Sequence, residues 1–419
     1  MADSFRTTWT PPPRPEWVKR LNEEGRYLDS RSVVPLDAAS LVSAAQKNTG
    51  LEDFGADDWR EPFEILVKSY DEEADLNLMG RLLTRTDLLM FLEARLRVED
   101  WYKRHPEIEE EQVRQPFIII GQGRSGTSFL LNLLEFDPEN ATVKEWEAML
   151  PCPPPEKSTY RSDPRIELAD KRITMWNRVT PELEAVHEFA AEIPAETIHI
   201  KALSFQCPAW MTILGQVPTY NEYMSKRSML PALQYEKRVL KLLQWKNPRV
   251  RWIMKDPDSI RYLPEVLQVY PDANFIWSHR DPTKARSSGI NMIGILGWIR
   301  SDRVFVSGAN ETILDETVTS TMLTKPIEWL ESGLLPRSQL ANVQYLDLVE
   351  RPLESIEGMY SHFGLKLSEE AGNRIAAYLE ANPRVKRPSH KYSEQREESG
   401  KAASLFDEYR RYFKVKRED

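Results

Sequence analysis

The stretch PFIIIGQGRSGTSFLLNLLEF at residues 116–136 constrains this chain most, because it reads as a buried strand, a glycine loop and a helix in direct succession. Phe117 to Ile120 are apolar and mostly β-branched, as a strand covered on both faces requires, and Phe129, Leu130, Leu133 and Leu134 recur at helical spacing beyond the loop. Gly121, Gly123 and Gly126 let backbone come close to a ligand without Cβ clashes, while the first amides of the helix aim unpaired donors into the loop. The unit predicts an anion site in an α/β protein.

Several anions fit the glycines alone. Gly121, Gly123 and Gly126 satisfy G-x-G-x-x-G, and Glu145 or Glu147 stands about 20 residues on, where an NAD(P)-dependent oxidoreductase places its ribose acid. Gly121 and Gly126 also frame G-x-x-x-x-G-K-[ST], but Thr127 takes the lysine's position, so an ATPase would lack its main phosphate cation. A bare helix cap is the plainest alternative. What sets the loop apart is Arg124-Ser125-Gly126-Thr127-Ser128, a guanidinium, three hydroxyls and helix-start amides, each a donor to oxyanion oxygens.

A chain of 419 residues with 41% hydrophobic content can bury a large core, so a small binding module is excluded. The net charge of -9 opposes broad attraction to nucleic acid, and any cationic pocket must be local. Cys152 and Cys207 form no C-x-x-C pair and no His/Cys cluster has metal-ligand spacing, which predicts no bound metal and a reducing, cytoplasmic setting. The first residues have no apolar signal core and no apolar run reaches membrane-spanning length, so no transmembrane segment is expected.

Residues 1–112 read as a helical N-terminal region, with the strongest amphipathic segment from Leu82 to Pro106, and 113–419 as the α/β domain. The run PCPPPEK at 151–157 marks a turn, and helical sequence at about 158–245 reads as an insertion. RWIMKDP, ANFIWSHRDP and NVQYLDLVERP each place a short apolar strand before a charged turn, which predicts a parallel sheet flanked by helices. In such sheets ligands lie at the carboxyl ends of strands, so Gly121 to Ser128, Lys255, Asp256, Arg280, Asp281 and Asp347 should face one crevice. Pro282 is expected to start a helix that carries Ser288.

With GRSGTS, WIMKDP and HRDPTKARSS in this order, followed by YLDLVERPLESIEGMYSHFGL, the chain resembles the PAPS-dependent sulfotransferase family. It is most similar to the bacterial branch with a G-x-G-R-S-G-T loop. The resemblance implies a P-loop-like α/β fold and transfer of a sulfuryl group from PAPS to a hydroxyl acceptor. It further implies that Arg124, Ser125, Gly126, Thr127 and Ser128 hold the 5′ end of the donor, Arg280 and Ser288 its 3′-phosphate, and Tyr345 its adenine. Lys255 matches the lysine of the family's second strand motif, where an ammonium can follow the sulfuryl oxygens. Arg124 stands where cytosolic members have lysine. Because it stays protonated, electrostatic stabilisation rather than acid catalysis is expected of it.

The acceptor hydroxyl needs a base, and here the chain departs from the pattern. Cytosolic relatives place a histidine two residues after the lysine and the bacterial branch often places one four after it; Pro257 and Ser259 stand there instead. The candidates lie in AVHEFAAEIPAETIHI, with His187 ranked first, Glu196 second if burial raises its pKa, and Glu192 and His199 behind them. Asp256 is a further candidate, weakened if it pairs with Lys255. The C-terminal segment is similar to the family's mobile one, which implies that His390 or Lys391 closes over the nucleotide, with a solvated helical tail as the alternative, and Trp210, Met211 and Met224 fit either a lipophilic acceptor pocket or a core. A nucleotide-binding protein without catalysis is the rival that the missing histidine motivates.

Overall fold

The computed structural model describes residues 9–305, 314–382 and 404–418. Its centre is a parallel sheet of β1 (Phe117–Ile120), β2 (Asn140–Thr142), β3 (Arg251–Lys255), β4 (Asn274–His279) and β5 (Leu340–Gln344), ordered β2-β3-β1-β4-β5. The order reverses at β1, which pairs with β3 on one side and β4 on the other. That reversal opens a crevice at the carboxyl ends of β1, β3 and β4.

Strand pleating divides the core. Phe117 and Ile119 of β1 pack on one face with Ile253, Ile276, Ile356 and Tyr360. Ile118 and Ile120 point to the other, with Trp252, Met254, Phe275 and Trp277. The second cluster extends into the N-terminal helices through Val18, Leu41, Phe63 and Leu92, and these helices pack on the later ones, Tyr70 donating to the Met211 carbonyl and Tyr102 to the Arg238 carbonyl. Both faces are dry, which is why the strands read as continuous apolar runs rather than alternating ones.

The sequence reading departs from the fold at three places. The long amphipathic helix runs Leu78–Arg104, starting before Leu82 because the Asn77 side chain accepts from the Gly80 amide at 2.8 Å. β2 has no apolar run to announce it and is recognised only by its pairing with β3. Tyr345 is not in a strand: β5 ends at Gln344, and Tyr345–Glu350 is a short helix. Asp347 lies in that helix and pairs with Arg351 at 2.7 Å.

Candidate active site

The loop after β1 is held by its flanks. Leu130, Leu131, Leu133 and Leu134 of the helix Thr127–Leu134 are all buried, and each contributes roughly 2 kcal/mol by leaving water. That exceeds the strain of Arg124, whose φ of 73° is left-handed and costs about 1–3 kcal/mol. Two of the three glycines are required by the protein's own packing. A Cβ on Gly121 would lie 2.7 Å from the Ser278 carbonyl, and one on Gly126 2.8 Å from Tyr345 Cδ2, whereas Gly123 faces open space.

The helix that follows starts at Gly126 with no side-chain cap, and Ser125 Oγ is buried with no hydrogen-bond partner among the described residues. A buried hydroxyl left unpaired beside uncapped amides costs stability unless a ligand completes it. The cradle therefore fits an oxyanion group such as the donor's 5′-phosphosulfate.

Side chains from distant segments converge on this loop. Arg124 Nε donates to Ser288 Oγ at 2.9 Å and its Nη1 to the Val186 carbonyl at 3.2 Å. Ser288 lies on the helix Pro282–Trp298, which starts at Pro282 as the sequence predicts and is capped by Asp281. Arg280 Nη1 donates to the Arg124 carbonyl at 2.9 Å, and its guanidinium lies 4.1 Å from the centroid of the Tyr345 ring. The structure thus gathers Arg124, Ser288, Arg280 and Tyr345 around one crevice, with Tyr345 against Gly126.

Lys255 ends β3 almost fully buried, donating to Ser128 Oγ at 2.8 Å and pairing with Glu196 Oε1. The same carboxylate oxygen lies 3.7 Å from His187 Nε2. His187 Nδ1 is 2.9 Å from the Glu188 carbonyl, a contact in which the ring must donate, which assigns Nε2 as the lone-pair nitrogen of the neutral ring. Phe189 stacks on the imidazole at 4.5 Å and fixes its plane.

Glu196 does not meet the condition set for it as a base. Burial pushes its carboxyl up, but the Lys255 ammonium, joined by the His187 ring when that ring is protonated, outweighs burial and holds it well below the usual carboxylate range. His199 is taken up elsewhere, with Nδ1 2.7 Å from Glu145 Oε2 and its ring 3.9 Å from Trp210. Asp256 pairs with Lys201 rather than with Lys255, and caps the turn after β3 through the Asp258 and Ser259 amides. Glu192 is exposed.

The acid required by the dinucleotide reading is also missing. Glu145 is buried on His199, and Glu147 is buried between Arg249 and the Lys144 amide. Trp210, Met211 and Met224 are core residues, Trp210 stacked 5.9 Å from Trp176. His390 and Lys391 lie outside the described residues. Among the described residues no group of three or more His, Cys, Asp or Glu could hold a metal ion, and no helix is long and apolar enough to cross a membrane.

Sequence reasoning missed three contributors. Thr197 donates its amide to the Lys255 carbonyl at 2.9 Å and so seats Glu196 against the lysine, a role that its place directly after Glu196 could have suggested. Ser278, two residues before Arg280, donates to the Ser125 carbonyl at 2.6 Å. Glu418, which contacts Arg280, carries no local signal at all.

Comparison with known proteins gives the family and the fold. The model of a family described as the sulfotransferase family matches residues 116–369. Omega-hydroxy-beta-dihydromenaquinone-9 sulfotransferase Stf3 of Mycobacterium bovis, and the protein of the same name from Mycobacterium tuberculosis, are 26% identical over 273 residues, covering 63% of this chain. The match spans 66% of those relatives, just under two thirds of their length. The crystal structure of sulfotransferase STF1 from Mycobacterium tuberculosis is similar with a TM-score of 0.72 at 26% identity, over 88% of this chain and 97% of that one. Sulfotransferase STF9 from Mycobacterium avium shares the fold with a TM-score of 0.74 at 24% identity, over 91% and 97%.

Proposed function

The chain belongs to the sulfotransferase family, and on that premise we propose that it transfers a sulfuryl group from PAPS to the hydroxyl of a small lipophilic acceptor. The acceptor class is suggested by the name of the Stf3 relatives, which describes a hydroxylated menaquinone derivative. The observation that carries the reading is the single Glu196 oxygen shared by Lys255 and His187 beside the anion loop, which joins a fixed cation to a base across one reaction centre.

In this reading Arg124, Ser125, Gly126, Thr127 and Ser128 bind the 5′ end of the donor, with Ser125 Oγ and the helix amides supplying the unmet donors. Arg280 and Ser288 hold the 3′-phosphate and Tyr345 lies on the adenine side. A sulfuryl group carries less charge than a terminal phosphate, so the fixed charges of Arg124 and Lys255 can neutralise the departing 5′-phosphate. His187 Nε2 takes the acceptor proton, and Glu196, kept ionised, stabilises the imidazolium that results. Glu196 is thereby a partner of the base rather than the base. The acceptor enters from the helical insertion at about 158–245, which carries both residues. Two buried free thiols, Cys152 and Cys207, support a reducing compartment such as the cytoplasm.

The test is turnover of PAPS against a panel running from simple alcohols to hydroxylated isoprenoid quinones. Sulfated product is expected with the lipophilic members, with Arg124→Ala lowering turnover by about 10²–10³ and His187→Ala by about 10². Near wild-type turnover in both His187→Ala and Glu196→Gln would remove the base assignment. Absence of product with every acceptor would favour a nucleotide-binding protein without catalysis.

A further inference from the structure

The anion site centred on Arg280 already faces an anion of the protein's own. Arg280 Nε and Nη2 donate to the two carboxylate oxygens of Glu418 at 2.9 and 3.0 Å, the parallel two-bond fork that a guanidinium also offers to phosphate. Both side chains are mostly withdrawn from water, at 9% and 16% exposure, so the pair is not a loose surface contact. Lys414 adopts a left-handed φ of 55° and turns the chain back after the helix Asp407–Phe413. The Glu418 amide then donates to Asp281 Oδ2 at 3.0 Å, placing the carboxylate at the strand end. The helix itself is docked on β4 through Tyr409 to His279 at 2.9 Å and Phe413 to Trp277 at 4.5 Å. His279, Arg280, Asp281, Gln344, Tyr345 and Glu418 all line one cavity at this place.

We propose that Glu418 is a built-in competitor for the 3′-phosphate of the donor and its product, and that the nucleotide displaces it from Arg280 on binding. This rests on the reading of Arg280 given above. A phosphate dianion offers the same two acceptors with greater charge, so displacement is favourable but incomplete compensation remains. The apparent affinity is divided by the factor with which the free site prefers Glu418. Return of the carboxylate as the nucleotide leaves shortens the life of the product complex, in an enzyme class of reaction where release can limit turnover. A nucleotide without a 3′-phosphate leaves the fork in place and is indifferent to it.

Calorimetric titration of the full chain with 3′-phosphoadenosine 5′-phosphate and with AMP, on wild type, Glu418→Gln, Glu418→Asp and Arg280→Ala, tests this. Glu418→Gln is expected to bind the bisphosphate roughly tenfold more tightly with AMP unchanged, Glu418→Asp to fall between, and Arg280→Ala to lose the preference for the bisphosphate. Weaker or unchanged bisphosphate binding in both Glu418 variants, with Arg280→Ala still losing it, overturns the competitor while leaving the role of Arg280 intact. Bisphosphate binding no better than AMP in wild type, indifferent to Arg280→Ala, overturns both.

Discussion

Two strand ends in this sheet carry the same layout, Lys255-Asp256-Pro257 after β3 and Arg280-Asp281-Pro282 after β4, yet different parts of the chain hold them. In both, the aspartate caps the helix that follows, Asp256 through the Asp258 and Ser259 amides and Asp281 through the Thr283 amide. Behind β3, Asp256 is buried on Lys201, and Lys255 is enclosed by Ser128 and Glu196. At β4, Asp281 meets Arg410 at 2.7 Å and Arg280 meets Glu418, partners 129 and 138 residues away in sequence. A cation-Asp-Pro motif thus determines the cap and aims the cation, whereas its counter-ion comes from whichever segment the fold brings near. In the proposed function the β3 cation, held between Ser128 of the glycine loop and the Glu196 carboxylate that also faces His187, acts on the reacting atoms. The β4 cation, in the same reading, binds the 3′-phosphate.

If that division is right, the largest loss belongs to β3. Lys255→Ala is expected to lower kcat by about 10²–10³ while leaving affinity for 3′-phosphoadenosine 5′-phosphate within a few-fold, because the ammonium acts on developing charge. Equal losses of kcat and affinity would erase the contrast. Arg280→Ala should do the reverse, weakening the bisphosphate by roughly 10–100-fold with kcat at saturating PAPS little changed, since charge-assisted pairs of this kind are made in ground and transition state alike.

The smallest expected effect sharpens the contrast through pH. Glu196 is held below its ordinary value of 4.5 in the folded protein, although burial alone would raise it. Its contribution to stability is therefore fully present above about 4.5 and is lost as pH falls toward the depressed folded value. Glu196→Gln should melt a few degrees below wild type at pH 7, with the gap closing as pH drops below 4.5. A gap that stays constant down to pH 3 would show that Lys255 gains nothing from the ionised carboxylate.

Much of the fold was legible because its signals are local. Apolar runs at Phe117–Ile120, Arg251–Lys255 and Asn274–His279 announce strands covered on both faces, and Pro282 after Asp281 announces a helix start. β2 was illegible because an edge strand of Asn140–Thr142 has no apolar run and exists only through its ladder to β3. Tyr345 was misplaced by one element because the change from strand to helix at Gln344 has no glycine or proline to mark it.

The sequence by itself determined the glycine loop after β1, the cations at the ends of β3 and β4 and the helix that carries Ser288, since each depends on residue type and spacing within a few turns of chain. Only the tertiary structure decided which carboxylates serve which cations. It placed Glu196 on Lys255 and His187, diverted Glu145 and Glu147 into buried structural pairs, and brought Glu418 onto Arg280. The reason is physical: a strand or cap is a short-range property of the backbone, whereas the charge state of a buried carboxylate depends on the cations that packing puts within a few ångströms, however far apart they are in sequence.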